Sequence, residues 1–214
     1  MKKAVAVLLV ITVALSLFAC KKTPESNAPQ SGVSDENTSS AENVPQKTPD
    51  PLTLRKIDPE KIIVVYFDAR EGVKTTADAF CAELGCASFE IVPLEPYSED
   101  ETEMLARADE EFSGGKYPAL GKYLDNASDY LAMIAVYPEL NGNAPMVLKT
   151  FLDDYDLRRT AILPVCVCSG ENSGESFAQI KDFMAASPVY SGLEVHSGDD
   201  IAAQCKSWAD AELK

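Results

Sequence analysis

Lys61-Ile-Ile-Val-Val-Tyr-Phe67, followed by Asp68-Ala-Arg-Glu-Gly-Val-Lys-Thr-Thr-Ala-Asp-Ala-Phe-Cys-Ala-Glu-Leu-Gly85, is the stretch on which the fold turns. After Lys61 the run is apolar and β-branched with no polar alternation, the pattern of a strand covered on both faces. From Lys74 to Leu84 the period changes: Ala77, Phe80, Cys81 and Leu84 fall at helical spacing, and Gly85 supplies a stop. A doubly buried strand leading into a helix is the opening of a β-α unit, and the pattern recurs outward from it. Ser88–Val92, Tyr130–Val136, Thr160–Val167 and Leu193–His196 read as further strands. Glu99–Phe112, opened by Ser98 with Glu101 three residues on, reads as a capped helix. Pro145–Leu152, Ser173–Ala186 and Asp199–Leu213 read as the remaining helices. Regular alternation predicts an α/β fold with a parallel five-stranded sheet and helices on both faces, because parallel strands need crossovers. Ligands of such sheets sit beyond the carboxyl ends of the strands, so the loops after Phe67, Val136 and Val167 carry the functional question.

The first fifty residues have a different character. Lys2 and Lys3 precede an apolar run from Ala4 to Phe18, broken only by Thr12 and Ser16, which is the layout of a secretory signal and short for a permanent span. The run ends in Leu17-Phe18-Ala19-Cys20, which resembles the lipobox of bacterial lipoproteins, where the cysteine is acylated and becomes the mature N-terminus. Two or more acyl chains anchor a protein stably at about 0.8 kcal/mol per buried CH₂. From Lys21 to about Leu54 the chain is rich in Ser, Asn, Pro, Glu, Thr and Gln, a composition that favours a flexible tether. The expected organisation is a signal at 1–19, the lipidated Cys20 with its tether at 20–56, and one domain at 57–214, outside the cytoplasm.

Loss of the two signal lysines takes the formal net charge from −15 to −17. So acidic a chain disfavours nucleic acid and anionic headgroups as partners. Five cysteines remain after Cys20, an odd number, so at least one is unpaired in a monomer. No Ser-His-Asp set, P-loop or paired-carboxylate site is readable, His196 is the sole histidine, and no catalytic residue is assigned. The C-x₄-C of Cys81 and Cys86 and the C-x-C of Cys166 and Cys168 make a poor zinc pattern. About twelve helical residues separate Cys86 from the cleft end of its helix, roughly 18 Å, so no single metal reaches both pairs. Cys166 and Cys168 alternate on a strand and point the same way, as core and lining residues or as a redox pair.

Asp129–Leu152, reading DYLAMIAVYPELNGNAPMVLKTFL, follows without a gap a pattern of the flavodoxin-like family, DYD…GYPIWWGTAPMPVRTFL. Glu95-Pro96-Tyr97, Tyr117-Pro118-Ala119-Leu120, the Cys166–Ser176 loop and Trp208 support the match, and the chain resembles that family from about Lys61 to Lys214. The resemblance implies a three-layer sandwich with strand order 2-1-3-4-5, FMN as cofactor, and electron transfer or quinone-type reduction as the chemistry. It places the phosphate at Asp68, Arg70, Glu71, Gly72 and Val73, and the ring against Tyr137, Pro138, Leu140, Asn141 and Gly142, with Cys168, Ser169 and Gly170 on the neighbouring loop. In this topology the first and last helices share a face, so Cys81 and Cys205 are core neighbours or a disulfide.

The departures from the family pattern bear on the cofactor. Its phosphate loop reads S-x-T-G-N-T, whose hydroxyls and amides gather round the phosphate at a helix N-terminus. Here every hydroxyl is gone and Asp68 and Glu71 have arrived. Like unit charges about 5 Å apart repel by roughly 3 kcal/mol at an effective dielectric near 20. The helix terminus returns only about 0.3–2 kcal/mol. Outward-pointing carboxylates, or a forked Arg70 contact, would relieve the clash. The tandem tryptophans of the ring site align with Leu140 and Asn141. Two expectations stand side by side: an FMN-dependent electron carrier with an altered seat, and a flavodoxin-like binding module that has lost FMN. The redox or protein partner is not readable.

Overall fold

The computed structural model describes residues 53–211. Cys20, the signal, and the tether up to residue 52 lie outside the described residues. Five strands, β1 (Ile62–Tyr66), β2 (Ala87–Glu90), β3 (Ala132–Pro138), β4 (Ala161–Val167) and β5 (Leu193–Val195), form one parallel sheet in the order β2-β1-β3-β4-β5. The α/β fold and strand order expected from the sequence are therefore observed.

Side-chain alternation divides the core in two. Ile63 and Val65 of β1, Met133, Ala135 and Tyr137 of β3, and Ile162 and Cys166 of β4 face one layer. There they meet α2 (Glu101–Gly114), α3 (Met146–Asp153) and α4 (Ser176–Phe183) through Met104, Phe151 and Ile180. Ile62, Val64, Ile134, Val136, Leu163 and Val165 face α1 (Val73–Leu84) and α5 (Ile201–Asp210) through Phe80, Cys205 and Ala209. Trp208 of α5 closes on Phe80 of α1 edge-to-face, with ring centroids 5.5 Å apart. Leu54, at the end of the expected tether, is fully buried in this second layer, and Arg55 bonds to Glu83 and Asp210. Packing of the domain therefore includes residues before 57.

The helix starts differ from the expected ones for local reasons. Asp100, not Ser98, caps α2, its side chain accepting from the Glu103 N–H at 3.0 Å, while Ser98 Oγ donates to Glu103 Oε2 at 2.7 Å. The helix expected from Ser173 begins only at Ser176, because Gly174 takes φ +58° and its N–H bonds the side chain of Asn172. It ends at Phe183, short of Ala186; Pro188 disfavours helix in the residue before it. The last helix starts at Ile201 with Asp200 as its cap, accepting from Ala203 N–H. Pro164 stands inside β4, opposite a break between the β5 ladder, which begins at Val165, and the isolated Ile162–Val189 bridge. A residue without an N–H fits where a ladder is interrupted.

Candidate functional site

The carboxyl ends of β1, β4 and β5 open into a cleft of about 520 Å³. It is walled by the β1–α1 turn, the start of α2, the end of β4 and the β5–α5 loop. Of the residues expected to seat a cofactor, Arg70, Glu71, Gly72, Cys168 and Ser169 line it. Asp68 is exposed and faces a neighbouring hollow beside Phe67 and Tyr97. Val73, Tyr137 and Leu140 are buried in the core, and Pro138, Asn141, Gly142 and Gly170 lie outside the cleft.

The phosphate position is acidic. Arg70 Nη2 donates to Glu101 Oε1 at 2.7 Å, so its charge is already paired across the cleft. Glu71, Glu99 and Asp199 add three further carboxylates to the lining. Two buried polar atoms of residues that border the cleft have no partner: Arg70 Nε and the Oγ1 of Thr76, a residue with no exposed surface. Thr76 belongs to the first turns of α1, whose cap Gly72 offers no side-chain acceptor.

The ring position is organised by its own backbone. Leu140-Asn141-Gly142-Asn143 is a two-residue reverse turn: Leu140 and Asn143 exchange both backbone hydrogen bonds, at 2.9 and 3.1 Å. Asn141 and Gly142 take φ of +52° and +76°. That is the Asn-Gly signature of a type I′ turn, so Asn141 stands where the family has tryptophan for a conformational reason. The turn packs directly on the loop after β4. Glu175 N–H donates to Gly142 O at 2.9 Å, and Gly174 lies so close that an added Cβ would meet Gly142 Cα at 2.7 Å.

Glu139, which sequence reading passed over, fastens the two loops. Its buried carboxylate accepts from Gly142 N–H at 3.0 Å, Ser169 N–H at 3.3 Å and Ser169 O–H at 2.5 Å. Burial pushes its pKa up, but the bonds from Ser169 and Gly142 and the nearby Arg70 outweigh that and hold it below the ordinary value. The available signal was an acid set among buried neighbours, between Tyr137-Pro138 and Leu140.

The two thiols of the region are held away from the thiolate form by burial. Cys168 Sγ lies 3.7 Å from Cys166 Sγ, both buried, and burial raises both pKa values. Tyr137 OH and Ser176 Oγ, 3.2 Å apart, share a hydrogen bond beneath them. His196 borders the cleft, with Nε2 3.8 Å from Glu194 Oε2 and its backbone N–H on Asp199.

A planar ring lodged between the loops after β3 and β4 would have to part Gly142 from Gly174 and displace Glu139 from Ser169. A phosphate at α1 would meet a lining that carries Glu71, Glu99, Glu101 and Asp199 against the single, already paired Arg70. FMN does not fit this arrangement of residues.

Residues 61–210 match the family model described as Flavodoxin. No curated protein matches the chain. Among solved structures, a flavoprotein from Bacteroides eggerthii is 23% identical with a TM-score of 0.64, covering 70% of this chain and 96% of its own. One from Bacteroides uniformis is 18% identical with a TM-score of 0.65, covering 72% of this chain and 100% of its own. A flavoprotein from Lactobacillus acidophilus solved in complex with FMN is 16% identical with a TM-score of 0.59, covering 71% of this chain and 99% of its own. Each of these likenesses establishes the shared fold.

Proposed function

The chain belongs to the flavodoxin family, and from that premise we propose that it is a lipid-anchored, extracytoplasmic binding module of that family whose cleft no longer takes FMN. The observation that carries this reading is Glu139. Its carboxylate occupies the Ser169 and Gly142 donors and locks together the two loops between which the ring would lie. An unsatisfied buried donor costs about 1–3 kcal/mol, so removing that carboxylate without replacing its bonds is unfavourable. The cleft at α1 stays open. The carboxylates that line it, Glu71, Glu99, Glu101 and Asp199, select against a dianion. The ligand class is a small neutral or cationic polar molecule.

One observation favours a second reading, an FMN-dependent electron carrier: the cleft reaches the N-terminal turn of α1, where the family holds phosphate. Purified protein separates the two. The module reading expects colourless protein and no saturable quenching of FMN fluorescence at micromolar protein. A yellow protein, or quenching that saturates at one FMN per chain, overturns it.

The anchor rests on the lipobox-like Leu17-Phe18-Ala19-Cys20. Cells expressing the full chain are expected to carry it in the membrane fraction, and Cys20→Ser is expected to abolish incorporation of labelled fatty acid. Equal labelling of the two forms would remove the anchor from the account.

A further inference from the structure

All five cysteines among the described residues are free thiols, so no disulfide joins Cys81 of α1 to Cys205 of α5. One pair stands in contact at the wall of the cleft. Cys166 and Cys168 share a face of the sheet, as alternate strand residues do, while Val167 between them turns to the layer of α1. Their Sγ atoms lie 3.7 Å apart, within hydrogen-bonding reach for sulfur. Cys168 N–H donates to Val195 O at 2.8 Å, which carries the sheet pairing one residue past the end of β4. The backbone beneath both thiols is thereby fixed. A bond requires the sulfurs to close to about 2.0 Å, a movement of side chains on a strand that stays in place.

Burial divides the roles. Cys168 lines the cleft and keeps 6% of its surface exposed, whereas Cys166 is fully buried and does not line it. A molecule entering the cleft therefore meets Cys168, and Cys166 is reached only through it. Charge selects the molecule. Glu71, Glu99, Glu101 and Asp199 line the same cleft, where Arg70 is already paired with Glu101. Such a lining concentrates cations and repels anions. Burial holds the Cys168 thiol above its ordinary value, and the carboxylates of Glu194 and Glu139 add to that. An ammonium group brought in beside them offsets their field and so favours the attacking thiolate.

We propose that Cys168 and Cys166 form a thiol–disulfide exchange site in the cleft wall, whose co-reactant is a low-molecular-weight disulfide bearing ammonium groups. Cys168 Sγ attacks one sulfur of that disulfide, forming a mixed disulfide and expelling one thiolate. Cys166 Sγ then attacks Cys168 Sγ, closing the intramolecular bond and expelling the second. The protein dithiol is oxidised by two electrons, the small disulfide is reduced to two thiols, and the two cysteine protons end on the thiols released. The choice of a cationic co-reactant rests on the reading of the cleft as a site for neutral or cationic molecules; the exchange itself rests on the contact between the sulfurs.

Reduced native protein is exposed to cystamine and resolved by mass spectrometry and peptide mapping, with Cys81, Cys86 and Cys205 followed separately. The expected product links Cys166 to Cys168 and has lost two hydrogens. Cys166→Ala is expected to retain cysteamine on Cys168, and Cys168→Ala to leave Cys166 unmodified in the folded protein. Rates with cystamine and with its dianionic counterpart, 3,3′-dithiodipropionate, are each divided by the rate at the same cysteines in urea-unfolded chain, which removes the difference in leaving group. The normalised rate is expected to be about tenfold higher for cystamine at low salt, and the ratio to shrink as salt rises. Absence of the Cys166–Cys168 bond, or cysteamine carried by Cys166 in Cys168→Ala, would overturn the exchange. Equal normalised rates would overturn the cationic co-reactant. Saturable uptake of FMN by protein that still closes the bond would support the exchange and count against the binding-module reading alone.

Discussion

Gly174→Ala is expected to destabilise the protein by roughly 2–4 kcal/mol, summing an overpacking cost and the cost of a left-handed non-glycine residue. The methyl would lie 2.7 Å from Gly142 Cα and 2.9 Å from its carbonyl carbon, and φ at that position is +58°. Its neighbours are backbone atoms, so no rotamer change relieves the overlap; the turn at Leu140–Asn143 must lift away from the loop after β4. Gly170→Ala in the same loop is the control, since its nearest neighbour would be Glu139 Oε1 at 4.0 Å. Urea unfolding of the two variants measures the contrast. A loss for Gly174→Ala no larger than for Gly170→Ala would mean that the loops do not rest on each other.

Replacement of Glu139 should have the second large effect. Glu139→Ala leaves the Ser169 N–H, Ser169 O–H and Gly142 N–H facing an empty site, and a loss of about 2–3 kcal/mol at neutral pH is expected. Its folded-state pKa lies below the ordinary 4.5. Its contribution is therefore complete above that ordinary value and is lost as the pH falls through the lower, folded-state one. Glu194 and Asp199 are also held below their ordinary values, chiefly by hydrogen bonds from Ser173 and His196 respectively, and add to the same acid limb. The informative quantity is thus the gap between parent and Glu139→Gln, which should narrow as the pH falls below the ordinary glutamate value and through the lower, folded-state one. A gap that stays constant with pH would show that Glu139 bears no charge-linked load.

Much of the architecture was legible because burial on both faces leaves a plain mark. β1, β3 and β4 are continuous apolar runs, and the glycine after α1 ends it where the sequence places it. Helix starts were harder. Both Ser98-x-x-Glu101 and Asp100-x-x-Glu103 satisfy the capping pattern, and the register that points Met104 and Ala108 into the core accompanies the second. The cleft was only half readable. The acids at 68 and 71 were visible, but their exposure depends on the turn, and the partner of Arg70 lies 31 residues away in Glu101. Glu139 was hidden for a similar reason: its donors come from Gly142 and from Ser169, 30 residues on, and only the folded sheet brings those loops together.

The most direct test follows the backbone amides of Gly142 and Ser169 in isotopically labelled protein while FMN is added. With the carboxylate of Glu139 fixed between the two loops, both resonances should stay in place throughout the titration, and no new slow-exchange pair should emerge. Saturable shifts of both amides, at one equivalent of flavin, would contradict the account at its centre.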